Sequence, residues 1–262
     1  MMRRRHALLV GMLIGVIGVL ALPMATPFEG LVGSVSIVEY WSYDVEFRFG
    51  EPEEELTGHS IERYDRQGNQ TETVHYDTTG RVTERYSRSF NDEGLLTRID
   101  EFDGRGNLVS STRVTYESGV RKHRAYDQHG NISSASDITL SPSGKTLTMV
   151  LYDEETGDLS LEIRNTYNDH DEPSASEWWN EDGERTVRSI YRYGVEGMDV
   201  MDETEFYVAG VLFHSFITGK VLAKRDLGGN WIEKLSYKRE EKFGETEWIL
   251  SNVYRRRIEY YE

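Results

Sequence analysis

The chain has 262 residues, a net charge of −16 and no cysteine. That acid excess argues against a nucleic-acid partner, which needs a concentrated basic face, and the missing thiols exclude disulfides, thiolate nucleophiles and Cys-ligated zinc. With 37% apolar and 11% aromatic residues, 16 of them Tyr, the composition is too apolar for a disordered chain and suits strands with one wet face.

The first element is a leader. Met1–His6 is short and basic, Ala7–Leu22 is uninterruptedly apolar, and small-residue cleavage options follow at Ala21 and Ala25. Residues 1–25 read as a signal peptide for the general secretion route of a bacterium, or as an uncleaved N-terminal anchor. Loss of Arg3, Arg4 and Arg5 with the leader takes the charge from −16 to −19. The expected location is the periplasm, the cell surface or the medium, with contact to a membrane only through an uncleaved leader.

Residues 26–57 follow. From Val35 to Phe49 the odd positions (Val35, Ile37, Trp41, Tyr43, Val45, Phe47) are mostly apolar and the even ones polar, which predicts a long strand with one buried face. Glu51-Pro52-Glu53-Glu54-Glu55 then predicts a solvated acidic loop.

Residues 58–193 carry a repeat, aromatic–Asp/Asn–x–x–Gly, at Tyr64-Asp65…Gly68, Tyr76-Asp77…Gly80, Phe90-Asn91…Gly94, Phe102-Asp103…Gly106 and Tyr126-Asp127…Gly130. The short polar side chain accepts hydrogen bonds from the backbone N–H groups that follow it, and the Gly takes the positive φ that folds one strand back on the next. Each unit of 12 to 14 residues is a strand plus a turn. Val82, Glu84, Tyr86, Arg88 and Phe90 share a face, so the sheet is expected to be only partly covered. The predicted class is all-β, an antiparallel meander of hairpin repeats in a curved or partly rolled sheet, with little or no helix. Residues 194–262 read as interrupted hairpins capping that array. The apolar stretch Phe206–Phe216, with a turn at Ala209-Gly210, is the place where the sheet closes or is capped. The long N-terminal strand and the basic last strand, Arg255-Arg256-Arg257, are the expected water-tolerant ends.

The turns Tyr64-Asp65-Arg66-Gln67-Gly68-Asn69, Tyr76-Asp77-Thr78-Thr79-Gly80-Arg81 and Tyr126-Asp127-Gln128-His129-Gly130-Asn131 resemble those of the bacterial YD-repeat (Rhs-type) family over residues 58–193, and more loosely over 220–261. The resemblance implies the sheet architecture. The large members are toxin-delivery shells with a separate effector; these 262 residues read as too short to enclose a cargo and show no effector segment of that kind, so the expectation is a short exported member without that activity.

Candidate sites lie off the repeat motif. Asn168-Asp169-His170-Asp171-Glu172 and Asn180-Glu181-Asp182-Gly183-Glu184 offer the oxygen ligands that hard cations prefer, which makes Asp169, Asp171 and Asp182 the calcium candidates, although neither loop has the EF-hand spacing. No other cofactor is expected. Trp178-Trp179 places one indole on each face of a strand, and an exposed indole can contact a glycan or a protein. No nucleophile elbow, phosphate loop or zinc motif is present, so no catalytic activity is inferred. The sequence reads as an exported cell-envelope structural or interaction protein with a protein or glycan partner; the alternative is a carbohydrate- or cell-wall-binding module using exposed aromatics. A membrane β-barrel would suit the turn spacing, but strands such as Gln70–Asp77 and Arg81–Phe90 lack a lipid-facing apolar band.

Overall fold

A computed structural model describes residues 31–153, 156–242 and 244–262; the leader over 1–25 lies outside these. The described residues contain sixteen strands and no helix. The first eight are β1 (Val35–Arg48), β2 (Glu51–Tyr64), β3 (Gln70–Tyr76), β4 (Val82–Phe90), β5 (Leu96–Asp103), β6 (Leu108–Glu117), β7 (Val120–Asp127) and β8 (Ile132–Leu140). The second eight are β9 (Thr146–Tyr152), β10 (Leu159–Tyr167), β11 (Pro173–Asn180), β12 (Arg185–Val195), β13 (Met198–Val208), β14 (Val211–Arg225), β15 (Trp231–Lys242) and β16 (Glu245–Tyr260).

Each strand pairs antiparallel with its neighbours in sequence, and β16 returns to β1 to close a barrel. The expected all-β meander is therefore present, but it closes completely where a curved or partly rolled sheet was expected. Sixteen strands of right-handed twist bring the two ends of the sheet together, and pairing satisfies both rows of edge amides. The closure is made by β1 and β16, Val38 opposite Ile258 and Tyr40 opposite Arg256, so the two elements expected to be water-tolerant ends instead cover one another.

The turns work as the motif predicts. In the β2–β3 turn, Asp65 Oδ1 accepts the Gln67 and Asn69 N–H at 2.9 and 2.8 Å, Gly68 N–H returns to the Asp65 carbonyl at 3.0 Å, and Gly68 has φ +85°. Two local expectations differ. The acidic stretch 51–55 is not a loop but the start of β2, turned from β1 at Phe49-Gly50. It projects past β3, which pairs only from His59 onward, so Pro52 sits on a free edge where its missing N–H costs nothing. Phe206–Phe216 neither closes nor caps the sheet: it is the tip of the β13–β14 hairpin, and Val211, Leu212 and Phe213 are exposed.

The cross-strand register separates the two faces of the wall. One face runs Val38–Glu62–Thr73–Tyr86–Glu101–Ser110 and, further round, Ile138–Met149–Ile163–Trp178–Val187. It holds most of the buried side chains, including Val38, Tyr86, Ile99, Val114, Met149 and Ile163, and is the inner face. The inner face thus carries a mixture of apolar and polar groups. Arg88 donates to Thr73 at 2.8 Å, Ser189 and Thr204 share a hydrogen bond of 2.8 Å, and Ser110 donates to Glu101 at 2.7 Å. From Ile37 onward the odd positions of β1, read as the buried set, point outward, because Val38 and Tyr40 take the inner face; Val35, before the register shift, is buried as expected.

Candidate functional site

The outer wall is built from charges and aromatics in alternation. Arg63 and Arg85 meet Glu72 at 2.9 and 3.8 Å, Arg124 meets Asp137 at 2.8 Å, Arg188 lies between Glu177 and Glu205, and Arg192 meets Glu203 at 2.9 Å. Exposed pairs of this kind add little stability singly, but they keep a wide sheet hydrated. A face so charged at mid-height is the opposite of a lipid-facing band.

The repeat aromatics mark the two rims of this wall. One rim carries the turns of the β3–β4 kind (Gly80, Gly106, Gly130), the other those of the β2–β3 kind (Gly68, Gly94, Gly119). At the Gly80 rim the aromatics point outward, and an Arg from a nearby strand lies over each of five: Arg85 over Phe102 (4.4 Å), Arg113 over Tyr126 (5.1 Å), Arg124 over Tyr152 (5.9 Å), Arg164 over Trp179 (4.5 Å) and Arg185 over Tyr207 (4.7 Å). Tyr76 continues the row, stacked on His59 at 4.7 Å, which itself stacks on Trp41. At the Gly68 rim the corresponding aromatics turn inward: Tyr64 donates to Glu62 at 2.5 Å and Tyr193 to the Pro173 carbonyl at 2.8 Å. Burial holds both phenols above their ordinary range. Successive turns therefore send one motif to opposite faces.

Trp178 and Trp179 divide as the pleat requires. Trp178 points into the barrel, its Nε1–H on Ser176 Oγ at 3.2 Å. Trp179 points outward, where it lines a shallow cleft of about 350 Å³ with Gly183, Glu184, Arg185, Tyr207 and Gly210. Arg185 is held in this cleft by Glu177 at 2.9 Å, and that hydrogen bond raises its guanidinium pKa further. Two aromatic edges, a fixed cation and a carboxylate in one open groove can contact the ring face and hydroxyls of a sugar or the side chains of a protein.

The calcium candidates are not brought together. Asp169 and Asp171 lie in the β10–β11 turn and Asp182 in the β11–β12 turn, at opposite ends of β11. Asp171 Oδ1 is met by the Lys145 ammonium at 2.7 Å, and Asn168 Oδ1 accepts the His170 and Glu172 N–H of its own turn. Among the described residues no group of three or more His, Asp or Glu could hold a metal.

Other groups were not legible. Arg164, Arg185 and Tyr207 join Trp179 only through cross-strand register. His123, one of seven histidines, is 5% exposed in the interior, with neither ring nitrogen hydrogen-bonded among the described residues; desolvation, then Arg121 and Arg124, hold its pKa down to about 4. Arg256 and Trp231 are likewise interior, and nothing in the run Arg255-Arg256-Arg257 separates the middle residue from its neighbours.

A closed antiparallel β-barrel with a mixed apolar and polar inner face and an ion-paired, aromatic-rimmed exterior is the class these features define. No family model and no curated protein matches the chain. Among solved structures, a porin-like protein from Bacteroides uniformis is 13% identical, aligned over 87% of this chain and 98% of that one at a TM-score of 0.38. TcdB2-TccC3-TEV is 11% identical over 74% of this chain and 15% of that one, at 0.17. Transferrin binding protein B from Haemophilus parasuis is 7% identical over 87% and 78%, at 0.21. Superpositions this loose fix neither a family nor a function.

Proposed function

We propose that the protein is an exported bacterial cell-envelope interaction protein of YD-like β-repeats, a rigid water-facing barrel without catalytic activity that presents its Gly80 rim to a partner. The observation that supports this most is the outward row of aromatics, five of them with an Arg overhead. Aromatic and Arg side chains are the types enriched where proteins make contacts, and the row ends at the Trp179–Tyr207 cleft. The ion-paired wall supports a barrel surrounded by water. Pull-down from native envelope with the purified protein tests the reading: a bound component should be retained by the wild type and lost on Trp179→Ala with Tyr207→Ala. A barrel released only by detergent, and not by osmotic shock, would contradict it.

The cleft favours a second reading, a carbohydrate- or cell-wall-binding module. Retention on a peptidoglycan or polysaccharide column that disappears with Trp179→Ala and survives Trp178→Phe is the expected result; passage of the wild type in the void volume ends this reading and leaves the first standing.

A further inference from the structure

The three consecutive arginines of β16 have different fates. Arg255 points outward and is held by Glu54 at 2.6 Å and Glu233 at 3.1 Å. Arg257 also points outward and meets Glu39 at 2.7 Å. Arg256 points inward, is 4% exposed, and meets no carboxylate among the described residues, although the chain contains 46 Asp and Glu. Its Nε–H donates to the Trp231 carbonyl, while Nη1 and Nη2 have no hydrogen-bond partner among the described residues.

The surroundings of Arg256 are those of a receptor and not of a structural ion pair. Its guanidinium carbon lies over the Trp231 indole, 3.9 Å from the ring centre, and 6.0 Å from the ring of Tyr40, its register partner on β1. The indole is itself buried, and its Nε1–H also has no partner among the described residues. The Lys234 ammonium lies 4.8 Å from the same indole and 4.9 Å from Tyr254. The nearby acid, Asp226, is engaged by the Asn230 N–H at 2.9 Å and by the Tyr260 hydroxyl; the Arg256 charge is only the last of the causes that hold its carboxyl below the usual range, and no ion pair joins the two among the described residues. A desolvated guanidinium with two idle N–H edges is costly unless something neutralises it, and its fork matches a carboxylate or phosphate in two-point contact.

We propose that Arg256, with Trp231, forms an internal anion-binding site near the Gly68 rim that takes a small carboxylate or phosphate. Arg256 supplies the positive charge and the paired donors, and the Trp231 Nε1–H a third donor. The site is separate from the outer rim and does not depend on what that rim binds.

Thermal unfolding of the purified protein tests it, with inorganic phosphate in one arm and acetate in another, against chloride at matched ionic strength. Phosphate or acetate should raise Tm in a saturable manner, by about 5 °C at a hundredfold excess over Kd, and the responding arm identifies the anion. Arg256→Met, which removes a buried charge and keeps its bulk, should abolish the shift, whereas Arg255→Met on the outer face should leave it intact. If Arg256→Met does not fold, Arg256→Lys keeps the charge but loses the fork and should weaken binding about tenfold. A wild type that responds equally to all three salts, or a shift that survives unchanged in the Arg256 variant that folds, overturns the proposal.

Discussion

The repeat region, β2 to β12, and the closing seam, β13 to β16 with β1, solve the same problem in different ways. In the repeat region the strands are mostly short, most turns are tied by their own Asp or Asn, and every strand pairing is made to a neighbour in sequence. In the seam the strands lengthen to between 11 and 16 residues, and one pairing joins Val38 to Ile258 across nearly the whole chain. The β12–β13 tip also leans over the outer face there. Met198 Sδ lies 2.6 Å from where a Gly219 Cβ would stand, and Glu196 is 3.9 Å from Arg239. Local order can be written in a motif, whereas closure has to be paid for by burial, and the seam accordingly holds the fully buried Val38 and Val253 and the buried Arg256.

The largest effect that separates the regions should come from Val38→Asp. A carboxylate at a position with 0% exposure in the closing strand should cost more than about 4 kcal/mol and yield protein without a cooperative melt. Ile99→Ala in the repeat region, at 2% exposure, should cost about 3 kcal/mol and leave a folded barrel by circular dichroism. Equal outcomes would mean that closure is no more demanding than a local pairing.

Acid should strike the repeat region through His123. Its folded pKa of about 4 lies below the ordinary 6.5, so its contribution is complete above pH 6.5 and is lost progressively as pH falls towards 4, about 3 kcal/mol in all. Urea midpoints between pH 7 and 4 should fall steeply for the wild type and less for His123→Phe. At lower pH the turn carboxyls add to the loss. Asp103 and Asp127 are held below the usual carboxylate range first by the side chains of Asn107 and Asn131 and then by backbone N–H groups. Stability from these groups is present above their unfolded pKa and disappears as pH drops through the folded one.

Two glycines distinguish rigid from yielding contact. A Cβ at Gly104 would stand 2.2 Å from the Val82 carbonyl oxygen, whereas at Gly219 it meets the flexible end of Met198. Gly104→Ala should cost about 2 to 3 kcal/mol and Gly219→Ala about 1, measured by chemical denaturation; the reverse order would show that the leaning tip is the more rigid element. Smallest of all, Arg98→Ala, which removes the exposed pair with Asp100, should change stability by less than about 0.5 kcal/mol.

The sequence by itself determined the turns, the all-β class and the even division of Trp178 and Trp179, because each follows from a few adjacent residues and the period of two. Asp65, Gly68 and their repeats act through bonds no more than four residues long, so no distant information was needed. It did not determine the outward aspect of Tyr76 and Phe102 against the inward aspect of Tyr64. That choice depends on which rim a turn occupies and on the register shift beside it, as between Arg63 and Tyr64 or His75 and Tyr76, and a single residue of shift exchanges the faces. Nor could it show that β1 and β16 would pair, or that Arg256 alone of three arginines would enter the barrel. Those outcomes belong to the tertiary structure: closure joins residues far apart in the chain, and only after closure does one face of the wall become an interior.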